Sequence, residues 1–214
     1  MHIKMAELCK LYTSIEKHIL QDSIPSNYLN KIYNCSIFRE YPFDMLYKLK
    51  ITEQSKKYHP EGNVWNHTLL VVDEAGKIKS KSKDKKVFMW SAFLHDIGKP
   101  STTKKTNGRI TSYNHDKIGA ELAKEFLLFF KEDKYFICNV YNLIRYHMQI
   151  LFVANNLPFA DIEGMKYNTD IREIALLGLC DRMGRLNSNR LEERKTIQKF
   201  LQKCKNVYLQ FKIN

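Results

Sequence analysis

Apolar residues recur at close to helical spacing along most of the chain. In the first twenty positions they fall at Met5, Leu8, Leu11, Tyr12, Ile15 and Ile19, which predicts an amphipathic helix over residues 1–20. Pro25 and Pro42 break the pattern, so 24–42 reads as short helices or loops, and 43–51 as one further short helix. Y-H-P-E-G-N-V-W-N at 58–66 is a loop running into a helix. Pro60 and Gly62 punctuate it, and the Asn63 side chain can accept from the exposed first-turn N–H groups. Helical periodicity then continues to about Gly76, and the lysine-rich run at 77–86 predicts an exposed loop. V-F-M-W-S-A-F-L at 87–94 is apolar on nearly every side, the mark of a buried helix. It ends in His95 and Asp96, and Gly98 and Pro100 stop it. Asn107-Gly108 and the segment 109–113 suggest a short β-ribbon within 102–113. Residues 115–131, 134–148, 169–185 and 190–207 read as helices and 149–158 as a loop. The expected fold is an all-α helical bundle carrying that ribbon, with residues 1–57 as an N-terminal helical appendage to a domain at 58–214.

Composition narrows the class without naming a function. The chain has 214 residues, 44% hydrophobic and 27% charged, which is ordinary for a soluble globular protein. No run reaches the roughly 18 apolar residues of a membrane-spanning helix, and residues 1–10 lack the apolar stretch of a signal peptide. Its five cysteines are dispersed and odd in number, without C-x-x-C spacing, and are expected to be reduced thiols in the cytoplasm. The net charge of +12 favours anionic partners such as nucleotides, RNA or other phosphate esters. The lysine run by itself is better read as a solvated loop.

The chemistry comes from where polar residues fall on the predicted helices. His67 shares a face with Val64, Leu70 and Val71, and His115 with Ile118, Gly119 and Leu122. His147 follows Val140 and Ile144, and Asp181 follows Ile174 and Leu177, each at helical spacing. A single such position is most often a satisfied core residue. Four of them, beside His95-Asp96, converge on one core. Imidazole and carboxylate ligands suit zinc, iron, manganese, nickel or cobalt. His67, His95, Asp96 and Asp181 could hold one ion, and Asp96 could bridge to a second held by His115 and His147. Two metals roughly 4 Å apart are a recurring device for hydrolysing phosphate esters, where they supply hydroxide near neutral pH. Lys99 is placed to offset phosphate charge or, equally, is an ordinary lysine at a helix C-terminus. Arg145 and Arg182 adjoin ligand positions and could reach a phosphate, with structural ion pairs as the competing role. Asp116 reads as a helix N-terminal acid, and His59 as a residue of the pocket rim or of the turn.

The order H…HD…H…H…D, at His67, His95-Asp96, His115, His147 and Asp181, resembles the HD superfamily of metal-dependent phosphohydrolases, with H-D-I-G as its HDIG form. Further motifs extend the likeness over roughly 58–185. Y-H-P-E-G-N-V-W-N-H-T-L-L-V-V-D, F-L-H-D-I-G-K-P-S-T-T, Y-N-H-D-K-I-G-A-E-L-A, L-I-R-Y-H-M and C-D-R-M-G-R are similar to the HD domain attached to bacterial tRNA nucleotidyltransferases, the CCA-adding enzymes. The resemblance implies an HD-domain bundle and one or two divalent ions (Mn, Fe, Ni, Co, Zn or Mg). It also implies phosphodiesterase or phosphatase activity on a phosphorylated small molecule, nucleotide or RNA end, away from membranes. Asp96 would act on the nucleophile, and Lys99, Arg145 and Arg182 would meet the substrate. No glycine-rich phosphate loop or paired acidic motif precedes residue 58, so nucleotide addition to tRNA is not expected and the chain reads as a stand-alone HD protein. Tyr113-Asn114 stands where relatives often carry glycine, implying a reshaped pocket entrance. Two other readings share the residues: an HD-type di-iron oxygenase cleaving C–C or C–P bonds, and a non-catalytic module that binds nucleotide or RNA. The nearby lysines and the tRNA-repair motifs favour hydrolysis, and the complete ligand set argues against an idle site.

Overall fold

A computed structural model describes residues 2–210. It is all-α apart from one two-stranded ribbon. The centre is α5 (Lys85–Leu94), in which every residue from Val87 to Leu94 is buried. Asp84 starts this helix by accepting from the backbone N–H groups of Lys86 and Val87, which satisfies donors that a helix N-terminus leaves open. Around α5 pack α1 (His2–Gln21), α4 (Val64–Ile78), α8 (Lys134–Tyr146) and α11 (Ile171–Met183). Between α1 and α4 lie α2 (Ser26–Tyr33), α3 (Asp44–Tyr47) and short 3-10 turns. Met1, where the first helix was expected to begin, and residues 211–214 of the expected 58–214 domain lie outside the described residues.

The N-terminal helices share the core of the rest. Tyr12 stacks on Trp90 with ring centroids 4.6 Å apart and on Phe130 at 4.2 Å. The Trp90 indole N–H donates to Glu16 at 3.0 Å. One apolar cluster runs from Leu8 to Cys204.

After α5 come the short α6 (Lys99–Thr102), then β1 (Thr103–Thr106) and β2 (Arg109–Ser112). The strands pair antiparallel with Thr106 opposite Arg109. The two-residue turn between them puts Asn107 at φ 50° and Gly108 at φ 74°, the left-handed conformation that this hairpin requires and that Asn-Gly adopts readily. The ribbon therefore falls where it was expected. Next is α7 (His115–Phe129), which packs antiparallel-fashion along the sequence neighbour α8 across a short loop.

Two expectations are corrected. The lysine run at 77–86 is mostly not a loop. The α4 helix continues to Ile78, a 3-10 turn covers Lys79–Lys81, and α5 begins at Lys85. Lysine is a good helix former, and several of these side chains have structural partners. Lys79 donates to the Asp22 carbonyl at 2.9 Å, and Lys86 pairs with Glu16 and Glu132. The segment 149–158, expected as a loop, contains α9 (Gln149–Ala154). Six residues are too few to show a period. This helix is held from elsewhere by α12 (Arg190–Gln210), whose Lys203 donates to the carbonyls of Val153 and Ala154 at 3.1 and 3.2 Å. A further helix, α10 (Ile162–Asn168), is capped by Asp161. Among the described residues no helix is long and apolar enough to cross a membrane.

The start of α11 has a testable electrostatic signature. Asp170 caps it, accepting from the Arg172 N–H at 2.7 Å and pairing with Lys83. Burial pushes its carboxyl pKa up, but these partners outweigh burial and the net shift is downward. A depressed carboxyl stabilises the fold above its unfolded pKa, and that stability is lost as pH falls through the folded value. Asp170→Ala is expected to cost about 1 kcal/mol in urea unfolding at neutral pH, and the gap from the parent should narrow as the buffer is taken toward pH 3.

Candidate metal centre

Seven side chains chosen from the sequence meet in one place. His67 comes from the first half of α4. His95 is the cap residue at the end of α5, with Asp96 next to it. Lys99 opens α6, His115 opens α7, His147 caps the end of α8, and Asp181 lies near the end of α11. His67, His95, Asp96 and His147 are at most 2% exposed.

Three of the histidines are oriented by the same local device. Each donates from Nδ1 to the backbone carbonyl three residues earlier: His95 to Ala92 at 2.9 Å, His115 to Ser112 at 2.7 Å, and His147 to Ile144 at 2.6 Å. A carbonyl only accepts, so Nδ1 carries the proton and Nε2 of the neutral ring presents a lone pair.

Those lone pairs converge around Asp96. Its Oδ2 lies 3.2 Å from His95 Nε2 and 3.9 Å from His67 Nε2, and its Oδ1 lies 3.5 Å from His115 Nε2. His115 and His147 bring their Nε2 atoms to 3.2 Å from each other. Asp181 Oδ1 is 3.0 Å from His67 Nε2. Two sets of donor atoms result, His67–His95–Asp96 and Asp96–His115–His147, each within a span of 4.8 Å and sharing the Asp96 carboxylate.

This donor set fits a divalent ion. Two imidazole lone pairs at 3.2 Å repel unless a proton or a cation lies between them. His95 Nε2 is fully buried without an aligned hydrogen bond, and Asp96 Oδ2, 3.2 Å from it, is met by the Lys99 ammonium at 2.7 Å with no aligned hydrogen bond. Buried polar atoms without partners are costly, and a cation satisfies both at once. Mixed imidazole and carboxylate donors suit zinc, iron, manganese, cobalt or nickel.

The charges follow the same geometry. Burial by itself raises the Asp96 carboxyl, but His95, Lys99 and His115 outweigh it and hold the group well below the usual carboxylate range. Burial works the same way at Asp181, where Arg185 and His67 hold the carboxyl well down. Burial pushes His115 down to about 4 and lowers His147 as well, so both rings stay neutral at pH 7. At His67 burial is outweighed by Asp181 and Glu61, and its pKa is raised. The field that draws a proton to that ring draws a cation too.

Lys99 is not an ordinary surface lysine. It is 8% exposed, and its Nζ lies 2.7 Å from Asp96 Oδ2 and donates to Gln54 at 2.5 Å. The two arginines expected near a phosphate stand in ion pairs instead. Arg145 holds Asp116 at 3.0 Å, and Arg182 holds Glu193 on α12. The arginine on the cluster is Arg185, 3.4 Å from Asp181 Oδ2. Its signal was in the sequence, since it follows Asp181 by four residues on the same helix face. Glu61, beside His67, belongs to an irregular loop with no period to reveal it, and His59, expected at the pocket rim or in the turn, lies in the same loop against it. Glu61 Oε1 is 2.9 Å from Nδ1 of each histidine. Burial pushes His59 down to about 4.

The approach of α7 to Asp96 depends on Gly98. A Cβ built there would fall 2.3 Å from the His115 carbonyl oxygen and 2.6 Å from the Gly119 nitrogen. Both are backbone atoms that cannot swing aside. Just before His115, Asn114 sits at φ 59°, a left-handed conformation that suits glycine and that asparagine tolerates.

The HD domain family model matches residues 64–186, which include all six histidine and aspartate positions of the centre. The Multifunctional CCA proteins of Actinobacillus pleuropneumoniae serotype 5b (strain L20) and serotype 7 (strain AP76) are each 32% identical to this chain over 83 residues. That stretch is 39% of this chain and 19% of each relative, so the likeness spans about a fifth of their length.

Gly98→Ala should therefore disturb more than one methyl's worth of space. Pushing α7 off the Asp96 turn is expected to cost about 1–3 kcal/mol in urea unfolding, the usual range for overpacking. Unchanged stability would show that the two backbones can part freely.

Proposed function

The chain belongs to the HD domain family, and from that premise we propose that it is a divalent-metal-dependent phosphohydrolase acting on a nucleotide or RNA-terminal phosphate. HD domains are a family of metal-dependent phosphohydrolases, and the described residues include His/Asp groups that could hold a metal. In this reading His67, His95, Asp96 and Asp181 would hold one ion, and Asp96 with His115 and His147 would hold another. The observation that carries it is the Asp96 carboxylate, with Oδ2 toward His67 and His95 and Oδ1 toward His115.

A bound divalent ion acidifies water and polarises a phosphoryl oxygen. The protein's own residues do the rest. Asp96 orients the attacking water. Three carbonyl-anchored imidazoles keep their lone pairs aimed inward at no cost of reorganisation during the reaction. Lys99, held beside Asp96 by Gln54, offsets the negative charge of the phosphate as it enters. With Arg145 and Arg182 already paired, the positive charge nearest the centre comes from Lys99 and Arg185. The net charge of +12 and the CCA-type motifs support a nucleotide or RNA end as substrate. The short similarity to the CCA proteins leaves the activities of those whole proteins outside this proposal.

Purified protein is expected to hydrolyse bis-p-nitrophenyl phosphate, 2′,3′-cyclic nucleotides or nucleotide monophosphates when Mn, Ni, Co or Mg is added, and to stop when the metal is chelated. Asp96→Ala should lower the rate by more than about a hundredfold, because removing a ligand exceeds the 10–100-fold typical of its outer neighbours. Turnover that survives chelation or Asp96→Ala would overturn the reading.

A further inference from the structure

Glu61 is a buried carboxylate that the proposed reaction does not use. It lies in the loop ahead of α4, outside the residues matched by the family, and its side chain is 2% exposed. Its Oε1 is 2.9 Å from His67 Nδ1 and 2.9 Å from His59 Nδ1. Its Oε2 accepts from the Leu186 N–H at 3.3 Å, one residue beyond Arg185. Its backbone carbonyl accepts from the Asn66 side chain at 3.0 Å. One carboxylate thus ties the loop, the helix bearing His67 and the chain just after the helix bearing Asp181.

His67 needs such a partner for a reason specific to its place. His95, His115 and His147 stand at helix ends, where a carbonyl three residues back is open to the ring. His67 lies inside α4, where the carbonyls behind it point along the axis and serve the helix's own ladder. Its Nδ1 is fully buried and has no aligned hydrogen bond from any other group, and Glu61 Oε1 is close to it in distance and oblique in angle. Without Glu61 that N–H would be orphaned, at the full cost of desolvating a polar group.

We propose that Glu61 is a positioning residue for His67: it holds the proton on Nδ1 and so keeps Nε2 toward Asp96 and Asp181, doing with a side chain what the backbone does for the other three histidines. The metal part of this inference rests on the reading of His67 as a ligand. A carboxylate partner also makes an imidazole a stronger donor at its other nitrogen. The alternative is that Glu61 is itself a ligand, because donor atoms of His59, Glu61 and His67 also lie within 4.8 Å of one another. Serving both groups would require His67 to offer a lone pair from each nitrogen, whereas a neutral imidazole has one.

The test uses the full chain, ring 15N NMR and titration with Co2+ followed by calorimetry and by the visible absorption of the ion. In the parent loaded with diamagnetic Zn2+, His67 is expected as the Nδ1–H tautomer, whereas in the metal-free chain Asp181 Oδ1, 3.0 Å from Nε2, competes for the same proton. Finding Nε2–H in the Zn2+-loaded parent overturns the proposal, whether or not any variant folds. Glu61→Ala is expected to bind as many equivalents of Co2+ as the parent with about 10–100-fold weaker affinity, a changed absorption band and a mixed His67 tautomer. Glu61→Gln retains an acceptor oxygen and should fall between the two. Parent-like affinity and tautomer in Glu61→Ala overturn the proposal, as does loss of one whole equivalent with the remainder unchanged, which would make Glu61 a ligand. A parent that binds no divalent ion defeats the metal reading; the positioning of His67 is then read from the metal-free chain, where a shift toward Nε2–H from the parent to Glu61→Ala supports it and an unchanged tautomer overturns it.

Discussion

An ionised carboxylate that is 1% exposed, Asp96, faces nitrogen atoms from four separate segments. Taking such a charge out of water costs several kcal/mol even after relaxation. The bundle around it can therefore be understood as a frame that brings compensating groups to one point and keeps them there. The ends of α5 and α8 and the start of α7 all terminate at the carboxylate rather than pass it. Helix ends are where a side chain can reach an open carbonyl, and three of the four imidazoles use that opportunity. Gly98 sets how closely these ends approach, because two backbones touch there with no side chain between them.

The frame extends to parts of the chain with no role in the chemistry. The all-apolar surface of α5 has to be covered on every side, and α1 covers one of them. Tyr12 stacks between Trp90 and Phe130 and donates its hydroxyl to Glu132 at 2.8 Å. Glu132 in turn pairs with Lys86 in the first turn of α5. The polar groups at this end of the central helix are thus satisfied by one another, while the centre forms at its other end.

Most of the fold was legible where a local signal agreed with the tertiary outcome. The run from Val87 to Leu94 is apolar all round and is buried, Asn107-Gly108 suggested a short ribbon and closes one, and Asn63 caps α4 as expected. The cluster itself was legible because each polar position sat on its helix's apolar side. What could not be read depended on distant partners or on irregular backbone. The α9 helix relies on Lys203, about fifty positions away in the chain. Glu61 has no period to betray it. Arg182 and Arg185 differ by less than one helical turn, and that rotation decides which of them meets Glu193 and which meets Asp181. The residue next to Asp181 in sequence points elsewhere, because a helix delivers its neighbours four residues along.

The carbonyl anchors of His95, His115 and His147 also bear on how this molecule can vary over evolutionary time. No single codon change deletes a main-chain oxygen, so drift at Ala92, Ser112 or Ile144 leaves the acceptor in place as long as the local turn survives. Orientation of those three rings is inherited with the fold itself. Orientation of His67 is inherited through a genetically replaceable group, so lineages that lose that carboxylate must recruit another acceptor.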